Sequence, residues 1–437
     1  MPLLPWPRIV FPRNPFPLLW FLLTTISLTI IFAHPRTNHR FTNQVNYTPN
    51  ISSNLNSKPS MDTLTLTRGL HVAQQEHFVH DVPGTYPRLC RLVDGSILAG
   101  FTTFAPDGQT RVLAVARSVD DARTFEPHGE VARSPGDCDN LFLLQLPPPP
   151  PPSFLENGEI AETETDPPVP VVLAAFRNHD LDDQGNPTWF RITVCQSRDG
   201  GRSWSFLSQA FEKPAPFGLW EPFLRLGRRG GVEEVQLYFS QEMDTDDQDT
   251  MVVRSTDGGR TWSSPSCVTG RGERLRDGMV GVAETEIAVR ARTLVMVLET
   301  TRRGPGTYSI EAILSFDGGE NFVQRQVVYE PATGRNAGAP QIAALNDGLT
   351  VAIVFMTDED MEEGEATAWP QGAKIKAMYG SLRKDGLLVL GAPVVVGESA
   401  SSWPGIMALS GNSALAVFES SRSIRGRLLM SPGNHAN

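Results

Sequence analysis

Glu221 and Glu299 are the residues of this chain whose settings best suit chemistry. Glu221 stands in Gly218-Leu-Trp-Glu-Pro-Phe223, and Glu299 closes the apolar run Leu294-Val-Met-Val-Leu-Glu299. An unpaired carboxylate in apolar surroundings is costly, and two carboxyl groups brought together raise the pKa of one while the other stays ionised. That division into proton donor and ionised partner is what cleavage of a glycosidic bond uses. Each glutamate also fits a plainer role, a carboxylate satisfied by a neighbouring arginine. Glu242, in Leu237-Tyr-Phe-Ser-Gln-Glu242, competes with Glu221 and could instead bind a sugar hydroxyl, while Trp220 offers an aromatic face beside it.

The elements that must position these residues announce themselves through four copies of one string. Ser118–Phe125, Ser197–Trp204, Ser255–Trp262 and Ser315–Phe322 each read Ser-x-Asp-x-Gly-x-x-aromatic, with Ala122 in the glycine place of the first. The carboxylates of Asp120, Asp199, Asp257 and Asp317 can accept backbone N–H groups across a tight turn whose aromatic packs beneath. The copies start 79, 58 and 60 residues apart, a period that suits units of about four strands, which are propeller blades. The long first step contains a proline run and an acidic stretch, Pro147 to Pro170, which reads as a polyproline-rich surface loop inserted within a blade.

A weaker repeat lies between the boxes: an apolar strand opened by a proline or small residue, a turn, and a second apolar strand. Aligning Pro87, Leu141, Pro222, Val280, Pro340 and Pro404 gives steps of 54, 81, 58, 60 and 64, hence six blades. Only 18 residues follow Glu419, too few for two outer strands, so a strand within Met61–His80 is predicted to close the ring as the outer strand of the last blade. The expected fold is an all-β, six-bladed propeller of four-stranded antiparallel blades over residues 61–437. First-strand starts and second-strand ends then share one face, the mouth, and the boxes lie on the opposite face with a structural role. The mouth gathers the catalytic candidates Glu221 and Glu299 and the substrate-binding candidates Arg88, Asn140, Arg177, Trp220, Glu242, Asp277 and Trp403. Arg88, Arg177 and Asp277 fit two roles equally, holding a ligand or catalytic carboxylate and making ordinary interblade ion pairs. His179 reads as a hydrogen-bonded structural histidine before a base, and Asp358 as the one acid of its loop able to reach in.

A chain of 437 residues with 40% apolar and 8% aromatic content can bury a core, and a net charge of −11 argues against a nucleic-acid surface. Arg8 and Arg13 precede an uncharged, mostly apolar run from Pro15 to Ala33, which reads as a secretory signal (1–33) or an uncleaved signal anchor with the propeller outside the cell. A polar stalk, 34–60, follows with sequons at Asn46 and Asn50. Cys90, Cys138, Cys195 and Cys267 could form two disulfides, or one with two buried thiols; their spacing makes no metal-ligand pair, and no cofactor is expected.

The boxes resemble those of the sialidase-type propellers. Within that group Tyr86-Pro-Arg88, Leu219-Trp-Glu-Pro-Phe223, Tyr238-Phe-Ser-Gln-Glu242, Arg276-Asp-Gly-Met-Val-Gly-Val-Ala283 and Ala337-Gly-Ala-Pro-Gln341 resemble the fungal exo-α-1,5-L-arabinanases of glycoside hydrolase family 93, over about residues 67–430. The resemblance implies a secreted, retaining enzyme that releases arabinobiose from the non-reducing end of linear arabinan, with Glu221 as nucleophile and Glu299 as acid/base. A monomer is expected. Val280 stands where that pattern has proline, and the proline-rich insertion and the long N-terminal segment without an Ala-x-Ala site also depart from it. A sialidase would need an arginine triad and a tyrosine nucleophile; the Arg-Ile-Pro string is absent, and Tyr379 has no supporting neighbours in sequence. A non-catalytic carbohydrate-binding propeller, its mouth acids holding a ligand or calcium, is the alternative from another class.

Overall fold

The computed structural model describes residues 69–148, 170–287, 291–361, 369–421 and 423–432, which contain strands and turns and no helix. The chain divides into the compact units Met1–Lys58 and Pro59–Asn437, and all described residues belong to the second. The leader, the stalk with its sequons and nearly all of the proline-rich insertion lie outside them.

Six antiparallel sheets make six blades. Blade 1 comprises Gly84–Arg91, Ile97–Phe104, Arg111–Ser118 and Glu126–Ser134, and blade 2 comprises Asp137–Gln145, Val172–Leu181, Pro187–Ser197 and Ser205–Pro214. Blade 3 comprises Leu219–Arg229, Val232–Asp244, Asp247–Ser255 and Ser266–Thr269, and blade 4 comprises Gly278–Ile287, Ala291–Thr300, Ser309–Ser315 and Val323–Tyr329. Blade 5 has Ala337–Leu345, Thr350–Thr357 and Lys374–Leu382, its outer edge shared by the short Leu388–Leu390 and Val394–Gly397. Blade 6 has Ser401–Ala408, Ser413–Ser420 and Ser423–Met430, and its outer strand is His71–His80, paired through Val72 with Leu429 and Phe78 with Arg425. The ring therefore closes as the sequence predicts.

Middle strands are sandwiched between neighbouring blades, so they read as unbroken apolar runs: every residue of Thr350–Thr357 and of Ser309–Ser315 is buried. Outer strands such as Val323–Tyr329 are largely solvent-facing. The first strands carry the feature that matters for function. Each has a bulge, and at it one non-glycine residue with positive φ: Tyr86 (51°), Asn140 (58°), Glu221 (43°), Met279 (50°), Ala339 (50°) and Trp403 (54°). They are the residues immediately before the six aligned sequence positions. A bulge bends the strand and re-aims a side chain.

The boxes behave as their composition requires. In all four, the serine hydroxyl donates to the aspartate Oδ1 at 2.8 Å, and that oxygen accepts the third and fourth following N–H groups at 2.9–3.1 Å. Burial works against ionisation of Asp199, Asp257 and Asp317, but these hydrogen bonds outweigh it and hold each carboxyl at about 2. Each box is also clasped by the preceding blade. His77 meets Arg123 O at 3.2 Å, His128 meets Gly200 O at 3.0 Å, Ser208 donates to Gly259 O at 2.6 Å, and Arg254 donates to Gly319 O at 2.6 Å. The boxes thus stitch seams between blades. The insertion springs from the turn between the first two strands of blade 2, where Leu146 N–H donates to Val171 O at 2.8 Å, on the box face.

The disulfide expectation is corrected. All four cysteines are free thiols. Cys90, Cys138 and Cys195 are packed as small apolar residues in one core cluster, and burial pushes the Cys90 thiol up to about 12 and that of Cys195 to about 11.

Candidate active site

The bulges set two concentric groups of side chains at the mouth. The inner group is the six left-handed residues. The second comes from the residues that face, across the sheet, the position just before each bulge: Thr102, Arg177, Ser240, Glu299, Met356 and Glu419. Glu221 belongs to the inner group in blade 3 and Glu299 to the second in blade 4, so equivalent geometry in adjacent blades brings them together.

Burial pushes the Glu221 carboxyl up to about 7, reinforced by the charge of Glu299 and opposed by Arg177, the Ser240 hydroxyl and Arg276. Burial likewise raises Glu299, opposed by the Ala339 N–H, which donates to Oε2 at 2.8 Å, and by Arg276. Among the described residues neither glutamate has a cation within ion-pair distance.

The other mouth acids are spoken for. Asp137 pairs with Arg177 (3.0 Å), Arg111 (3.2 Å) and His179 (3.0 Å), and Asp139 with Arg111 (2.5 Å) and Arg177 (3.4 Å). Glu242, the competitor of Glu221, accepts the Gly218 N–H at 2.8 Å and pairs with Arg276 at 2.8 Å, which fixes the loop before Trp220. Asp277 is wholly buried in a two-pronged pair with Arg325 (2.6 and 2.9 Å) and accepts from Thr269 at 2.9 Å. It ties blade 4 to the edge of blade 3, which is the ion-pair reading of this residue. Asp358 accepts the Asn336 N–H at 2.6 Å, and Asp360 pairs with Lys376 at 2.8 Å.

Arg177 lies over the Trp220 ring at 4.8 Å from its centroid, while His179 and Phe190 meet that ring edge-on. One face of Trp220 is therefore used to hold Arg177 beside Glu221. His179 is fully buried with its ring nitrogens at 3.0 Å from Asp137 and from Leu219 O, the structural role expected of it. Trp403 stacks on Tyr86 at 4.6 Å between centroids. Arg88 is buried and donates to Pro87 O at 2.8 Å and Pro404 O at 3.0 Å, latching blade 1 to blade 6. Asn140 is buried with neither amide atom partnered, and Trp220 Nε1 and Gln241 Oε1 are likewise unpartnered. A buried polar group without a partner carries a desolvation cost. Tyr379 is in the core of blade 5, its hydroxyl 3.2 Å from Asn346 Nδ2, and takes no part in the mouth.

Three residues were missed. Arg276, which also donates to Gln248 at 2.9 Å, sets the charge felt by both glutamates. Tyr308, at the start of the third strand of blade 4, is bonded to Arg276 and is raised by burial and by the charge of Glu299. Trp369 and Glu299 both flank Gly338, with Cζ2 and Oε2 at 3.1 and 2.6 Å from where a Cβ would sit. The second-to-third-strand turns also open on the mouth face, and that rule of propeller geometry would have exposed Tyr308 and Trp369.

No family model and no curated protein matches the chain. Solved structures do match it. An α-L-arabinanase of Penicillium chrysogenum complexed with arabinobiose superposes with a TM-score of 0.54 at 16% identity, covering 83% of this chain and 98% of that one. The fold is that of the arabinanase propellers. An α-L-arabinofuranosidase of Fusarium graminearum in complex with an iminosugar inhibitor gives 0.54 at 16% identity, covering 81% and 97%. A protein of unknown function from Dyadobacter fermentans gives 0.57 at 16% identity, covering 83% and 100%. The shared fold thus spans 81–83% of this chain and nearly the whole of each of those three.

Proposed function

We propose that the protein is a retaining glycoside hydrolase that cleaves linear α-1,5-L-arabinan from the non-reducing end and releases arabinobiose. The observation that carries this reading is the pair Glu221 and Glu299: two carboxyl groups from adjacent blades, close enough for one charge to raise the other, and unpaired where Asp137, Asp139, Glu242 and Asp277 are paired. The arabinanase-type fold supports the substrate class, as do the unpartnered polar groups of Asn140, Trp220 and Gln241 and the aromatic rings of Trp369 and Trp403. Glu221 is the nucleophile that attacks the anomeric carbon, and Glu299 the acid that protonates the departing oxygen and then deprotonates the attacking water. Arg177 and Arg276 position the pair. The reading extends to a secreted protein acting on plant cell-wall polysaccharide as a monomer.

Linear arabinan digested with the purified protein and resolved by size should yield arabinobiose from the first time points, with no ladder of intermediate lengths. A sialoside should be untouched. Arabinan binding without product would place the protein among non-catalytic carbohydrate-binding propellers.

The pH dependence follows from the raised carboxyls. The value of about 7 belongs to Glu221, so the assigned nucleophile ionises as pH rises through about 7. The expected kcat/KM on arabinan therefore falls on the acid side of about 7, where Glu221 takes up its proton. A profile flat well into the acid range would contradict the assignment of Glu221 as nucleophile.

A further inference from the structure

Arg88 has a buried guanidinium that makes no ion pair and feels Glu221 only beyond ion-pair distance. It is 9% exposed, no carboxylate lies within ion-pair distance among the described residues, and its hydrogen bonds are those of Nη1 to the carbonyls of Pro87, Trp403 and Pro404. A buried cation left uncompensated is costly. The side chain lines a small cavity of about 10 Å³, together with Tyr86, Asn140, Glu221, Met279 and Gln341. These residues come from the first strands of five blades, so the cavity lies on the propeller axis. Asn140 is 5% exposed, and its amide lies near the Tyr86 hydroxyl without forming a hydrogen bond of good geometry.

We propose that this axial cavity binds a monatomic halide, chloride under ordinary conditions, held by the Arg88 guanidinium and the Asn140 amide N–H. The volume suits one particle the size of a water molecule and excludes phosphate or a sugar carboxylate. Water would satisfy the hydrogen bonds and leave the charge, whereas a halide satisfies both. The consequence for the pair rests on the catalytic reading of Glu221. That carboxyl is faced by Glu299, Arg177, Arg276, Tyr86, Tyr308 and Arg88. Of the cations among them Arg88 is the one lining the cavity, so a halide there cancels the charge that favours the Glu221 carboxylate and keeps Glu221 protonated to higher pH.

Two measurements test this. Crystals of the protein soaked in sodium bromide should show an anomalous peak on the axis within hydrogen-bond distance of Arg88, and Asn140→Asp, which puts a negative charge at the same position with little change of shape, should lose it. No peak in the wild type overturns the site. At fixed ionic strength, replacing chloride by gluconate should move the acid limb of kcat/KM down by about one pH unit. A bromide peak with an unmoved limb overturns the coupling to Glu221. A protein inactive on arabinan fails the catalytic reading, and the bromide peak still decides the site.

Discussion

Glu221→Gln and Glu299→Gln should each lower kcat on arabinan by about 10³-fold or more, with the fold intact. Glutamine keeps the shape, and neither glutamate is in an ion pair whose loss would leave a buried charge. Asp277→Asn is the instructive contrast: it strands the buried Arg325 and should reduce thermal stability instead. Because the two glutamates act as a unit, the double variant should be little worse than either single one. Azide separates the roles. Rescue of Glu221→Ala should give the glycosyl azide of inverted anomeric configuration, and rescue of Glu299→Ala the retained one. Near-full activity in either glutamine variant removes that residue from the mechanism, and the opposite pair of azide products reverses the order.

Gly338→Ala should lower kcat by about 10²-fold while the melting temperature moves little. A Cβ at this position would sit 2.6 Å from Glu299 Oε2 and 3.1 Å from Trp369 Cζ2. The backbone at Gly338 is in a region open to any residue, so alanine imposes no conformational strain. What yields is the end of the Glu299 side chain, and with it the 2.8 Å bond from the Ala339 N–H that aims the carboxylate. The effect should fall on kcat more than on KM, since the displaced group acts on the bond being broken. Unchanged kcat would show that the carboxylate tolerates displacement and is not held at a reacting position.

The blade count, the closure by the N-terminal strand and most of the inner group of mouth residues were legible because each has a local mark. Pro87, Pro222, Pro340 and Pro404 each follow a left-handed residue, and aligning them put Tyr86, Glu221 and Trp403 at the mouth, whereas Met279 and Ala339, without a chemically functional side chain, were not legible as part of it. Pairing between distant strands left no such mark. Asp277 has the composition of a ligand-binding residue, and only the fold reveals Arg325, 48 residues on, occupying it. Arg276, Tyr308 and Trp369 belong to turns without a repeated string, and the cysteines occur on strands that place them in the core as packing residues without bridging them.

The six left-handed bends have a thermodynamic meaning of their own. A non-glycine residue held in that region costs about 1–3 kcal/mol, so six together forfeit on the order of 10 kcal/mol, comparable to the whole stability margin of an ordinary domain. Glycine would relieve that strain at every one of these places, yet none is glycine. The middle strands, buried on both faces, and the clasped boxes can be understood as the reserve that makes such a loss survivable. The propeller is in this sense a loaded frame, with its periphery over-built so that its centre can stay strained.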